Sequence, residues 1–156
     1  MKLFSIKMTR ELAAEILSWK YDPPYDLYNN EVTESSINEL VHEGYLAVED
    51  ETGALIGFYC NGHSAQVPTG RELGAYTEGA IDVGVGMHPE LTGKGNGYVF
   101  FSFVLNELET LNSHSIFRLT VANFNKRAIK LYENLGFKKT YEFKTDTNEF
   151  IIMLKW

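Results

Sequence analysis

The 156-residue sequence predicts an α/β fold of about seven strands and about four helices, and three observations carry that prediction. Stretches with period-two alternation recur between stretches with helical spacing, so neither class alone accounts for the chain. The 44 % hydrophobic and 13 % aromatic content supplies a core, and a chain of this size buries about 68–70 % of its unfolded surface. A glycine-rich stretch, residues 92–97, sits between a short alternating run and a long apolar one. One domain over residues 1–156 is expected, with no repeat and no linker.

Residues 3–7 read as a first strand. Thr9 is a good N-cap for a helix that places Leu12, Ala13, Ile16 and Leu17 on one face. That helix cannot pass Pro23 and Pro24, so Trp19, Tyr21, Tyr25 and Tyr28 are expected on a loop. Ser36 and Glu39 form a capping-box pattern for a short second helix with Ile37, Leu40 and Val41 inward and Gly44 as the stop. Residues 45–49 and 55–60 read as an antiparallel hairpin turning through Asp50-Glu51-Thr52-Gly53. Residues 61–79 show no period, and a loop of that length is functional or mobile.

Residues 80–87 alternate cleanly. Ile81, Val83, Val85 and Met87 share one face; Asp82, Gly84 and Gly86 share the other, which is nearly bare. Residues 98–111 read as a helix buried at its N-terminal half, and residues 116–121 as a β-branched, apolar strand. A helix over 125–135 follows, with Ala128, Ile129, Tyr132 and Leu135 on one stripe and Gly136 at its end. Strands over 138–143 and 150–155 close the chain through Asp146-Thr147-Asn148.

The totals exclude several classes. A net charge of −7 argues against a nucleic-acid surface. No stretch approaches the ~18–20 apolar residues of a membrane span, and the first six residues are too short for the apolar region of an export signal. With Cys60 as the one cysteine, an internal disulfide is impossible; a reducing compartment, the cytoplasm, is expected. His42, His63, His88 and His114 lack metal-ligand spacing, so no metal is expected.

The glycine stretch is therefore the strongest signal. Gly93, Gly95 and Gly97, at every second position, permit positive φ and close approach of peptide N–H groups to a ligand. Feeding a helix, such a loop makes an anion site from unpaired first-turn N–H groups and the macrodipole. It is not a nucleotide P-loop, because His88 stands where the first glycine belongs and Gly95, not Ser or Thr, follows Lys94. It is not the dinucleotide fingerprint either: the glycines are spaced two and two, and antiparallel strands precede them.

Met87-His88-Pro89-Glu90 running into Thr92-Gly93-Lys94-Gly95-Asn96-Gly97 resembles the acyl-CoA loop of the GNAT superfamily of N-acetyltransferases, with Thr92 where that family carries Gln or Arg. Val121, Asn125, Ala128, Leu131-Tyr132 and Gly136-Phe137 resemble its later segment. The resemblance implies a GNAT-like mixed, mostly antiparallel twisted sheet. It also implies transfer of an acetyl group from acetyl-CoA to an amine of a small molecule or peptide, by direct attack in a ternary complex. Backbone N–H groups from Gly93 to Gly97 would hold the pyrophosphate, with Thr92, Lys94 and Asn96 in the same loop. Backbone groups of Val85 and Met87 would pair with the pantetheine arm like an added strand.

Further roles follow from that resemblance. Tyr132 is the candidate general acid for the leaving thiolate, a phenol of pKa near ~10 being a suitable donor; otherwise it is a core tyrosine. Asn125 would touch the pantetheine or cap its helix. Arg127, with Lys126, opposes the dipole of its helix, a conflict that a bound anion or plain solvation removes. Asp82 would accept the amine's proton through water, or else is an acid at a solvated strand end. Tyr21, Tyr25 and Tyr28, with the 61–79 loop, would select the acceptor or pack over the core. A covalent acyl-cysteine is not expected, since the Cys60 strand precedes the site. The alternatives are an acyl-CoA-binding sensor without turnover and an interaction module that uses the exposed aromatics. The apolar C-terminal strand ending Leu154-Lys155-Trp156 could supply the edge of a homodimer.

Overall fold

A computed structural model of the chain describes residues 1–77, 79–113 and 115–156; Glu78 and His114, the latter among the histidines considered above, lie outside the described residues. The elements in order are β1 (Leu3–Lys7), α1 (Arg10–Leu17), α2 (Glu34–His42), β2 (Leu46–Asp50), β3 (Leu55–Asn61), α3 (Pro68–Glu72), β4 (Ala80–Met87), α4 (Asn96–Leu111), β5 (Ile116–Ala122), α5 (Lys126–Asn134), β6 (Lys138–Lys144) and β7 (Glu149–Lys155). The strand order is β1-β2-β3-β4-β5-β7-β6. The β1/β2, β2/β3, β5/β7 and β6/β7 ladders are antiparallel, whereas β4/β5 is parallel. This is the mixed, mostly antiparallel sheet of the α/β class expected, with the short α3 as a fifth helix.

The chain divides into two compact units, Met1–Cys60 with Val85–Phe100, and Asn61–Gly84 with Phe101–Trp156. In the first, Thr9 caps α1 by accepting the Leu12 N–H at 3.2 Å, and Ala13, Ile16 and Leu17 turn into a core shared with Met8, Trp19, Leu40 and Ala47. Arg10 ties α1 to α2 through Glu34 and Asn38. The start of α2 corrects the expected capping box. Thr33, extended at φ −127° and ψ 160°, accepts the Ser36 N–H at 3.0 Å, so the helix begins at Glu34 and Ser36 is already its third residue. Beyond Pro24 the tyrosine-rich segment is a 3₁₀ turn, Tyr25–Tyr28. The β2/β3 hairpin closes as expected: Asp50 accepts from the Thr52 hydroxyl at 2.6 Å and from the Thr52 and Ala54 N–H groups, and the hydroxyl bond chiefly holds its carboxyl below the usual range.

In the second unit, the aperiodic 61–79 segment carries structure of its own. A 3₁₀ turn, Gly62–Ala65, leads into α3, and both are tied down by side chains: Arg71 Nη2 donates to the His63 carbonyl at 2.9 Å, the Val67 N–H donates to the Tyr76 hydroxyl at 2.9 Å, and the Tyr141 hydroxyl reaches the Leu73 carbonyl at 3.3 Å. Polar tethers leave no periodic apolar trace, which is why the sequence pattern misses them. Ala75, Phe143 and Ile152 form a small core here with Val67, Tyr76 and Phe150. The expected dimer edge is also corrected. β7 is an interior strand, laddered to β5 over Phe117–Lys155 to Ala122–Phe150 and to β6 on its other side, so the outer strand is β6.

Candidate active site

The glycine loop has the backbone its sequence requires, with one adjustment. Gly93 and Gly95 sit at φ 71° and 81°, conformations that an L side chain adopts only with strain, while Gly97 lies in the first turn of α4. Nothing lies within 4 Å of where a Cβ of Gly95 would be, so a ligand has open approach to the peptide. Asn96 fixes the mouth of α4 through Nδ2 to the Leu91 carbonyl at 3.1 Å. Thr92, at the Gln/Arg position, turns its hydroxyl back to the Pro89 carbonyl at 2.7 Å, so its side chain holds the loop rather than reaching outward. Lys94 is exposed. Loop amides at a helix N-terminus fit a pyrophosphate, and Gly93 to Gly97 are the groups that would hold it.

Before the loop, β4 carries Val85 and Met87. The face of β4 that bears Gly86 is not bare: a Cβ there would run into the Phe58 ring, and one at Gly57 would meet the Gly86 carbonyl and Phe100. These glycines let β3 and β4 approach closely under aromatic cover. The Met87 carbonyl accepts the Tyr21 hydroxyl at 2.8 Å, and the His88 N–H donates to the Ile56 carbonyl at 2.8 Å. Of the three tyrosines expected to select the acceptor, Tyr21 is thus tied to the end of β4, and its burial pushes its pKa up to about 12. Tyr28 is exposed and meets the Tyr21 ring edge-on at 6.5 Å; Tyr25 is half-buried.

In the second unit, Asn125 caps α5 by accepting the Ala128 N–H at 3.1 Å. Arg127 is exposed in the first turn. Tyr132, 9 % exposed, packs edge-to-face on Phe101 with centroids 5.0 Å apart and lies 6.2 Å from Phe137. The ring is held by the core, as its place on the apolar stripe required.

Asp82 is not the solvated strand-end acid that was one of its two readings. Only 4 % exposed, it accepts Arg118 Nε on Oδ1 at 2.6 Å and Arg118 Nη2 on Oδ2 at 2.7 Å, with Gln66 Nε2 on Oδ2 at 2.8 Å. Arg118 also donates from Nη1 to the Thr77 carbonyl at 2.6 Å and lies over the Tyr76 ring at 5.2 Å. Arg71 Nε steadies Gln66 Oε1 at 2.9 Å. The pair is set by topology: the parallel ladder runs Ala80–Ile116, Ile81–Phe117, Asp82–Arg118. Sequence reasoning missed Arg118 and Gln66. The one available signal was a lone charge inside the apolar run of β5, and its partner depends on a register that a single sequence does not reveal. The pair lines an open cavity of about 470 Å³ with His63, Gln66, Tyr76 and Asn112.

A glycine loop that opens a helix just after a strand whose Met87 carbonyl is tethered, on this strand order, suits an anionic ligand. Residues 8–137 match the acetyltransferase (GNAT) family model, and the chain belongs to that family. The chain is an acyltransferase whose acyl donor is acetyl-CoA. Among solved structures, it is similar to a spermidine N-acetyltransferase chimera of the Vibrio cholerae and hSSAT enzymes (19 % identity, 99 % of this chain and 95 % of that one, TM-score 0.73). It is likewise similar to a GNAT-family acetyltransferase from Bacillus anthracis (13 %, 99 % and 94 %, TM-score 0.73). A third is a Salmonella typhimurium protein described as an acetyltransferase and solved with acetyl-CoA (20 %, 99 % and 93 %, TM-score 0.65). No curated protein matches the chain. Among the described residues, no cluster of metal-ligating side chains is present, and no helix is long and apolar enough to cross a membrane.

Proposed function

We propose that residues 1–156 act as one acetyltransferase domain that acetylates an amine of a small molecule or peptide. The single observation that carries this reading is the loop at Gly93 and Gly95, whose positive-φ backbone leads into α4 and has open space at Gly95. Bound acetyl-CoA supplies the acetyl group as an activated thioester. The loop amides hold its pyrophosphate, and Val85 and Met87 offer backbone groups to the pantetheine arm; Asn125 and Arg127 support the same ligand. The acceptor nitrogen attacks directly, and Tyr132 gives its phenolic proton to the departing thiolate. Asp82, held by Arg118 and Gln66, takes the proton that the amine gives up. Tyr21, Tyr25 and Tyr28 shape acceptor choice.

Cys60, the one cysteine of the chain, is buried, which supports a reducing, cytoplasmic setting. A second reading, an acyl-CoA sensor without turnover, draws on the Thr92 hydroxyl, which is committed to Pro89 rather than to a ligand. Isothermal titration with acetyl-CoA tests the shared claim: saturable binding is expected, and no heat at millimolar ligand would overturn both readings.

A further inference from the structure

The Asp82–Arg118 pair has a feature that a purely structural ion pair does not need. It lines a cavity of about 470 Å³ that is open to solvent, a volume within the about 300–1,000 Å³ of small-molecule sites. Three of the five guanidinium N–H groups of Arg118 are engaged by Asp82 and Thr77. Among the described residues Asp82 Oδ1 accepts one hydrogen bond, from Arg118 Nε, and an ionised carboxylate oxygen can accept more than one. The carboxylate and guanidinium are held in place by Gln66, itself steadied by Arg71, and by the Thr77 carbonyl. Such preorganisation keeps the cost of ordering low when a ligand arrives.

The local charge decides which ligand fits. Among the described residues lining the cavity, Asp82 is the sole carboxylate, and Arg118 already neutralises it; the other polar groups include His63, Gln66, Tyr76 and Asn112. A polyamine would bring several positive charges to one compensated carboxylate with a guanidinium beside it, in a setting where like charges repel strongly. A ligand carrying an ammonium and a carboxylate a few bonds apart instead complements the pair as an antiparallel dipole: the ammonium meets Asp82, and the carboxylate meets the remaining N–H groups of Arg118, whose planar fork suits it. We propose that this cavity binds a zwitterionic amine of the α-amino-acid class and that this ligand is the acceptor, the latter part resting on the transferase reading above. Asp82 then both orients the amine and receives its proton.

The test needs no variant at first. Titrating the wild-type protein, without acetyl-CoA, against the standard L-α-amino acids, their decarboxylated counterparts (tyramine for tyrosine, agmatine for arginine, cadaverine for lysine) and spermidine compares the two ligand chemistries directly. At least one amino acid is expected to bind at least tenfold more tightly than its decarboxylated partner and than spermidine. Equal or tighter binding of the decarboxylated amine or of spermidine, or no amino acid bound at 10 mM, overturns the proposal. Arg118→Lys, which keeps the charge and loses the fork, is expected to remove most of that tenfold preference. An unchanged preference in a folded Arg118→Lys protein places the ligand elsewhere and overturns the site. Binding of an amino acid without thiol release from acetyl-CoA upholds the cavity and overturns its role as acceptor site. Absence of acetyl-CoA binding instead overturns the transferase reading alone.

Discussion

Replacing Arg118 by methionine should be among the most damaging single changes in the second unit. Arg118 and Asp82 have side chains only 5 % exposed and are joined through two bonds of 2.6 and 2.7 Å. Removing the guanidinium leaves a buried carboxylate whose remaining donor among the described residues is Gln66, and the Thr77 carbonyl loses its Arg118 bond. Breaking one side of a buried pair costs about 3–5 kcal/mol, a large share of the about 5–15 kcal/mol that holds a domain. Replacing both partners, as in Asp82→Leu with Arg118→Met, removes the unpaired charge along with the pair, so the double variant should be more stable than Arg118→Met alone by about 2 kcal/mol or more. Urea denaturation at pH 7 of the wild type, both single variants and the double variant measures this coupling. An Arg118→Met protein within about 1 kcal/mol of the wild type, or additive single effects, would refute the view of Asp82 as a buried charge that depends on its partner.

Other perturbations have equally definite outcomes. Gly86→Ala drives a methyl into the Phe58 ring and should cost about 1–3 kcal/mol in denaturant unfolding. Tyr21 has its pKa raised by burial to about 12 in the folded protein, against an ordinary 10.0, so folding favours the neutral phenol. The stability it contributes is complete below pH 10 and is lost as pH rises through about 12. Tyr21→Phe should therefore flatten the alkaline fall in stability across that window, and it should remove about 1 kcal/mol at pH 7 with the Met87 hydrogen bond. Tyr132→Phe keeps the ring packing on Phe101; it should fold normally, bind acetyl-CoA within twofold of the wild type and lose about 10²–10⁴ in kcat by steady-state thiol release.

Most of the fold was legible because it rests on local periodicity. The bounds of β1 and β4 were read to the residue, and Thr9 was read correctly as a cap because an extended residue with a hydroxyl leaves a local signature. The α2 cap was misplaced because Ser36 with Glu39 matches the capping-box spacing, whereas Thr33, the actual cap, has Ser36 and not Glu or Gln three residues on. The glycine loop was legible as backbone chemistry, down to Gly93 and Gly95, although Gly97 turned out helical. What stayed hidden was anything set by long-range register. Gly86 looked bare because its cover, Phe58, comes from another strand; Asp82 looked solvated because its partner lies 36 residues away; and the C-terminal strand looked like an edge because nothing local says that β6 folds back outside it.

Turnover itself is tested most directly by incubating the protein with acetyl-CoA and a panel of amines that includes the α-amino acids, while following free thiol and acetylated product together. Equal amounts of thiol and N-acetylated amine, with at least one acceptor, are the expected result. Saturable acetyl-CoA binding with no thiol release for any amine would contradict the assignment of Tyr132 and Asp82 as a proton-transferring pair and would leave a sensor in its place.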